Sequence, residues 1–158
     1  MDRATLLLKR EAAIEYARCF IGTRYYSADG VTPNAGNDDP ILGFNCAGLI
    51  NEALRGVGMI GSSDNISAHR LYLKCLPSAA NGEPRRGDLI FYGTHPAGEE
   101  PDIAHVAMMI DDLHIIEAGG GTRGTDTDLE AARRNGFVRI RPVEFRESER
   151  LAVCRIWE

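Results

Sequence analysis

Apolar residues recur at helical spacing twice in the first third of the chain. Leu6, Leu7, Ala13, Ile14, Ala17 and Ile21 fall near one face of a helix predicted from about Thr5 to Ile21, with Cys19 inside it and Gly22 as its stop. Leu49, Ile50, Ala53, Leu54 and Val57 repeat in the same way behind Asn45, a good N-cap residue, and predict a second helix from Cys46 to about Gly58. Cys46 then stands in the first turn of that helix. Between the two, from Ser27 to Gly43, the chain carries Gly30, Pro33, Gly36, Pro40 and Gly43 among Asp and Asn residues, which is loop chemistry over a long span. Long ordered loops in compact domains are often functional. A short helix is expected over Ala68 to Cys75.

The pattern then changes to strands. DLIFYG reads as one, followed by a polar loop from Thr94 to Asp102. Ala104 to Ile110 and Leu113 to Ala118 are apolar runs on either side of Asp111-Asp112, the pattern of a β-hairpin. GFVRIRPVEF and LAVCRIWE alternate as two more strands, with a short helix around Asp128 to Arg134 before them. Helices first and strands later is the order of an α+β domain. No repeat, low-complexity tract or linker interrupts it, so residues 1–158 are expected to form one domain.

Composition narrows the function classes. At 158 residues the chain is long enough to bury a core without disulfides or metals, and 44% hydrophobic with 26% charged residues is ordinary for a globular protein. A net charge of -5 argues against a nucleic-acid binder that works by phosphate neutralisation. No run approaches the roughly 20 apolar residues needed to cross a bilayer. The opening MDRATLLLKREAA shows neither a signal peptide nor an anchor, so the expected location is cytoplasmic as synthesised, with lysis, non-Sec export or a phage particle as routes outward. Cys19, Cys46, Cys75 and Cys154 include no C-x-x-C pair, which gives no zinc knuckle or redox motif.

A thiolate is favoured in the first turn of a helix by unpaired backbone N–H groups and the helix dipole, and Cys46 meets that condition between Gly43 and Gly48. The bland alternative is a small buried hydrophobe. His105 opens an apolar strand, where an imidazole can be held rigidly to pair with a thiolate. If His105 and Glu117 stand directly opposite, 107 faces 115 and 109 faces 113, leaving Ile110, Asp111 and Asp112 as a three-residue connection. The Glu117 carboxylate would then accept a hydrogen bond from the imidazole and fix its tautomer. Two other readings stay open: a satisfied structural histidine at 105, and an edge-strand carboxylate in water at 117.

FIGTRYY, GFNCAGLI, RRGDLIFYG and IAHVAMMIDDLHIIEA, taken together and in that order, resemble the NlpC-type cell-wall cysteine peptidases of the papain-like superfamily, over roughly residues 12 to 118. The family's nucleophile motif, a phenylalanine, an Asp-Cys-Ser-Gly core and an aliphatic pair, is met by Phe44, Asn45, Cys46, Ala47, Gly48, Leu49 and Ile50. The resemblance implies a papain-like NlpC-type fold, N-terminal helices packed on an antiparallel sheet, with Cys46 as nucleophile and His105 as base. Glu117 stands at the third, orienting position, which is commonly histidine. Tyr25 falls on the family's tyrosine before the nucleophile, whose hydroxyl is implied to help hold the oxyanion with the backbone N–H of Cys46. A core tyrosine is the alternative there, and adjacent Tyr26 leaves the register between the two open.

Asn45 and Tyr26 are expected to face substrate. Two positions depart from the family: its aspartate before the nucleophile is Asn45, and the serine after it is Ala47. Loss of that carboxylate removes a charge partner for a substrate ammonium group, while Asn45 still caps the helix. Asp88 matches a recurrent family aspartate with a structural task at a turn. His69, His95 and His114 are placed in a helix, a loop and the hairpin's other face. Asp29, Asn37, Asp38 and Asp39 lack the spacing of a calcium loop, and neither metal nor cofactor is expected.

The implied function is hydrolysis of an amide in peptidoglycan stem or cross-link peptides through a thioester acyl-enzyme. The alternatives are a CHAP-like amidohydrolase, which shares the Cys, His and acidic-residue order, another papain-like thiol hydrolase or acyltransferase, and a non-catalytic cell-wall binding module. Oligomeric state is left open.

Overall fold

The computed structural model describes residues 1–27 and 42–158. Most of the loop from Ser27 to Gly43, with Asp29, Asn37, Asp38 and Asp39, lies outside the described residues. Helices come first: α1 (Arg3–Arg18), α2 (Cys46–Gly56) and α3 (Ala68–Cys75). The strands β1 (Leu89–Thr94), β2 (Asp102–Met109), β3 (His114–Gly119), β4 (Phe137–Pro142) and β5 (Arg150–Cys154) follow, with α4 (Asp128–Arg133) before β4. They form an antiparallel sheet in the order β4-β3-β2-β1-β5, as expected for this α+β fold.

Each helix begins where its capping chemistry puts it. Asp2 accepts from the Thr5 N–H at 3.0 Å, and Asn45 from the Gly48 N–H at 2.8 Å. Ser67 caps α3, and Thr127 with Glu130 forms a capping box on α4. The far end of α1 differs from the sequence expectation. Turns from Cys19, Phe20 and Ile21 back to Tyr16, Ala17 and Arg18 end the helix early, so Phe20 packs on Phe44 at 4.8 Å between ring centroids and Ile21 turns outward. Cys19 is exposed at that helix end. Likewise α2 stops at Gly56 rather than Gly58, with Val57 as its cap.

One sheet face takes the helices. Ala13, Ile14 and Ala17 of α1, Leu49, Ile50 and Ala53 of α2 and Leu71 of α3 pack with Leu89, Phe91, Val106, Met108, Ile116 and Val138. Strand alternation sends Ile90, Tyr92, Ala107, Met109 and Ile115 to the other face, where Val143 from the 3-10 segment Val143–Glu149 packs on them. Cys75 and Cys154 are buried, and their thiols interact where α3 ends against β5.

Asp88 does the structural work expected of it. Its carboxylate accepts from the Arg85 backbone N–H at 2.9 Å and from Arg155 Nε and Nη2 at 3.2 and 2.9 Å. Trp157 Nε1 donates to the Gly87 carbonyl at 2.7 Å, so the last residues of the chain are fastened to the entry of β1. Asp88→Ala removes one partner of a buried charged pair. It is expected to lower stability by about 3 kcal/mol, read from urea unfolding midpoints, because the Arg155 guanidinium keeps only the more distant, exposed Glu158 as an anion.

Candidate active site

Three elements meet at Cys46. Asn45, spending its side-chain oxygen on the Gly48 N–H, fixes the start of α2 and sets Cys46 as its first residue. The preceding chain is held by a parallel bridge between Tyr25 and Phe44, and Gly43 lies close enough to Arg24 that a side chain there would meet the Arg24 carbonyl. The Cys46 side chain is 8% exposed. It hydrogen-bonds His105 and also receives backbone hydrogen bonds from Val106 and Ala47.

His105 sits just past a bulge in β2. Tyr92 of β1 opposes His105, but the next residue, Gly93, opposes Ile103, so Ala104 is unpaired. A Cβ on Gly93 would stand 1.9 Å from the Asp102 carbonyl oxygen, which explains why glycine is needed opposite the bulge. On the other side, β2 and β3 pair Met108 with Ile116 and Met109 with Ile115. The Ile110 N–H donates to the His114 carbonyl, leaving Asp111, Asp112 and Leu113 as the connection.

This register corrects the expected one by two residues: continued along the strands, it sets His105 opposite Gly119 and Glu117 opposite Ala107. A shift of two keeps both side chains on one face, so Glu117 reaches His105 diagonally. Oε2 of Glu117 lies 2.7 Å from His105 Nε2. Glu117 is 1% exposed and β3 is an interior strand, which removes the reading of an edge carboxylate in water.

Sequence reasoning missed what stands behind Glu117. Arg139 Nε donates to its Oε1 at 3.2 Å, and Arg141 Nε lies 3.1 Å from the same oxygen as an ion pair. The signal available was the alternation of arginines in FVRIRP, which puts both on the Glu117 face once β4 pairs with β3.

The charges reinforce one another. Burial opposes ionisation of the Cys46 thiol, but the hydrogen bond and charge of His105, with the Val106 and Ala47 backbone bonds, outweigh it and hold the thiol below its ordinary range. Burial likewise disfavours the imidazolium, yet the hydrogen bonds and charges of Cys46 and Glu117 raise His105 to about 9. Glu117 is held at about 2: burial pushes it up, and His105 with Arg139 pulls it down further. These shifts all act in one direction, toward a thiolate, an imidazolium and a carboxylate.

Because the folded carboxyl lies below its ordinary 4.5, the stability it supplies is fully present above that pH and is lost as pH falls toward about 2. Wild type is therefore expected to lose roughly a few kcal/mol over that window beyond what Glu117→Gln loses, measured by urea unfolding at several acidic pH values.

The remaining expected residues fall as follows. Tyr25 and Tyr26 are half-buried beside the nucleophile segment, with the Tyr26 N–H bonded to the Phe44 carbonyl. The Tyr25 ring occupies the space that a side chain at Gly121 would need, and the Arg24 guanidinium lies 5.3 Å from the Tyr26 ring centroid. Asn45 is partly exposed. His69 in α3 and His95 in the loop are exposed, and His114 bonds Asp111 at the hairpin turn.

The chain resembles known proteins in sequence and in fold. The NlpC/P60 family model matches residues 22–139. The peptidoglycan endopeptidase RipB of Mycobacterium tuberculosis is 35% identical over 101 residues, which are 61% of this chain and 36% of that protein. The chain thus spans about a third of that relative's length. A structure of the peptidoglycan hydrolase RipB superposes with a TM-score of 0.63 at 25% identity, covering 100% of this chain and 69% of that one. An NLP/P60 family protein from Staphylococcus aureus, similar to a lipoprotein, shares the fold with a TM-score of 0.60 at 18% identity, covering 99% of this chain and 42% of that one.

Proposed function

The chain belongs to the NlpC/P60 family, and from that premise we propose that residues 1–158 act as one cysteine peptidase domain that hydrolyses an amide in the peptide part of peptidoglycan. The observation that carries this reading is the contact chain from a thiol at a capped helix start, through a buried imidazole, to a carboxylate 2.7 Å away. A relative named as a peptidoglycan endopeptidase supports the choice of substrate.

In this reading the Cys46 thiolate attacks the amide carbonyl. The carbonyl oxygen becomes an oxyanion, for which the backbone N–H of Cys46 at the helix start and the Tyr25 hydroxyl are the donors. His105 gives its proton to the leaving amine as the C–N bond breaks, and a thioester on Cys46 remains. Water then attacks the thioester while His105 takes the water's proton. The thiolate leaves, and the imidazolium is restored. Glu117 keeps the ring oriented and favours its charged form throughout. Asn45 and Tyr26 flank the nucleophile on the substrate side. With its side-chain oxygen spent on the Gly48 N–H, Asn45 offers a substrate amine no countercharge, which favours substrates whose recognition does not depend on a free ammonium group next to the cut.

The test is mass-spectrometric analysis of products after incubation with purified, defined muropeptides. A cut made by wild type identifies the scissile bond and establishes the reaction class. If wild type leaves every muropeptide intact although Cys46 reacts as an activated thiol, peptidoglycan is the wrong substrate and the amide or ester must be sought elsewhere.

A further inference from the structure

The carboxylate that orients His105 is itself held from behind, and we propose that Arg139 is a positioning residue for the hydrolysis, clamping one oxygen of Glu117 so that the other is presented to the imidazole as an anion. This inference rests on the reading of Cys46, His105 and Glu117 given above. It concerns a residue linked to His105 through Glu117.

The geometry is specific. Arg139 stands directly opposite Glu117 in the pairing of β3 with β4. Its Nε donates to Oε1, while Oε2 is left to His105. The guanidinium is anchored on two further sides: Nη1 donates to the Asn135 carbonyl at 2.8 Å, and the Phe137 ring centroid lies 5.4 Å from its central carbon. Asn135 adopts a φ of 53°, in the left-handed region, as the chain turns into β4. Gly119 supplies the space, since a Cβ there would stand 2.4 Å from Oε1 of Glu117 and 3.0 Å from Nη2 of Arg139. The residue whose register position faces His105 is thus the one that must lack a side chain if Glu117 is to cross diagonally.

Electrostatics gives the clamp its task. A carboxylate buried to 1% exposure beside a neutral imidazole would be driven to take up a proton. His105 is neutral once it has given its proton to the leaving amine, which is when Glu117 most needs another countercharge. The groups around it are His105 from β2, Tyr92 from β1, and Arg139 and Arg141 from β4. Arg146 and Glu147 of the 3-10 segment and Arg150 of β5 act on Tyr92 beside it. Of the two arginines in contact with the carboxylate, Arg139 makes the aligned hydrogen bond and is the more buried, at 12% against 23% side-chain exposure. Arg141 lies over the Phe145 ring at 3.7 Å and adds charge without the aligned bond.

The experiment measures the rate of Cys46 alkylation by iodoacetamide against pH, resolved by peptide mass spectrometry, with exposed Cys19 normalising the reagent. Wild type, Arg139→Gln, Arg139→Lys and Glu117→Gln are compared, and thermal unfolding is recorded for each. Arg139→Gln is expected to move the acid limb of the profile upward by about one pH unit, lowering the rate roughly tenfold at pH values on that limb, toward Glu117→Gln. Arg139→Lys, which keeps the charge but not the fork, should fall between wild type and Arg139→Gln and serves if the glutamine variant does not fold.

Profiles of the arginine variants that superimpose on wild type, with or without a lower unfolding temperature, overturn the inference and leave Arg139 a purely structural residue. A wild type whose own Cys46 reacts only in the ordinary thiol range overturns the underlying triad, and this inference with it. The two failures are therefore distinct.

Discussion

Cys46→Ala is expected to abolish turnover of the cleaved substrate, by at least about four orders of magnitude in kcat, while the protein remains folded. Every other part of the site is arranged around that sulfur. Asn45 fixes the helix start beneath it, His105 and the Val106 backbone approach it, and no other thiol shares this environment: Cys19 is exposed on α1, while Cys75 and Cys154 pair with each other. Alanine keeps the Cβ and helical geometry at a position only 8% exposed, so its unfolding midpoint should lie within a few degrees of wild type. Steady-state kinetics together with thermal unfolding check both halves. Residual turnover within about tenfold of wild type would mean that the nucleophile lies elsewhere.

His105→Ala is expected to lower kcat by about 10³ to 10⁴, and its signature differs from that of the nucleophile variant. The thiol is still present but has lost the hydrogen bond and charge that opposed its burial. Its pKa should return to the ordinary thiol range or above it. Alkylation of Cys46 at about pH 7 should therefore slow at least roughly 30-fold even as the mutation opens space near the sulfur. Glu117 keeps Arg139 and Arg141 as partners, so no buried charge is orphaned and the fold should survive. Unchanged thiol reactivity would show that the helix start alone activates Cys46.

Much of this was legible in the chain. The N-cap Asn45 and the apolar spacing behind it are sequence-local signals, which is why α2 begins where it was placed, and α3 and α4 also start at the residues expected, behind the caps Ser67 and Thr127. Alternation in the second half gave the strands, and the three-residue connection assumed for the hairpin put His105 and Glu117 on a common face. Parity is insensitive to a slip of two residues, so the face was right although the turn lay one residue further on and the pair met diagonally. The end of α1 was overrun because Ile21 continues the apolar spacing, whereas the turn that buries Phe20 against Phe44 is a tertiary choice.

The supports of the site were less visible for the same reason. Arg139 and Arg141 read as the solvent face of an alternating strand until β4 is known to lie against β3, across a connection that includes α4. The Ala104 bulge before His105 left only a glycine, Gly93, as its trace in a different strand. Cys75 and Cys154 are far apart in sequence, and only the packing of α3 against the sheet edge brings them together. Local chemistry announces itself locally, while partners set by strand order do not.

The most direct measurement is the ultraviolet thiolate absorbance of wild type minus that of Cys46→Ala, followed across pH. The subtraction removes the other three cysteines and leaves the titration of Cys46 with its histidine. A thiolate signal already present well below the ordinary thiol pKa of about 8.5, and lost in His105→Ala, is the predicted result. A difference signal that rises only in the ordinary thiol range would contradict the account, because Cys46 would then be a buried thiol beside a histidine rather than a nucleophile activated by it.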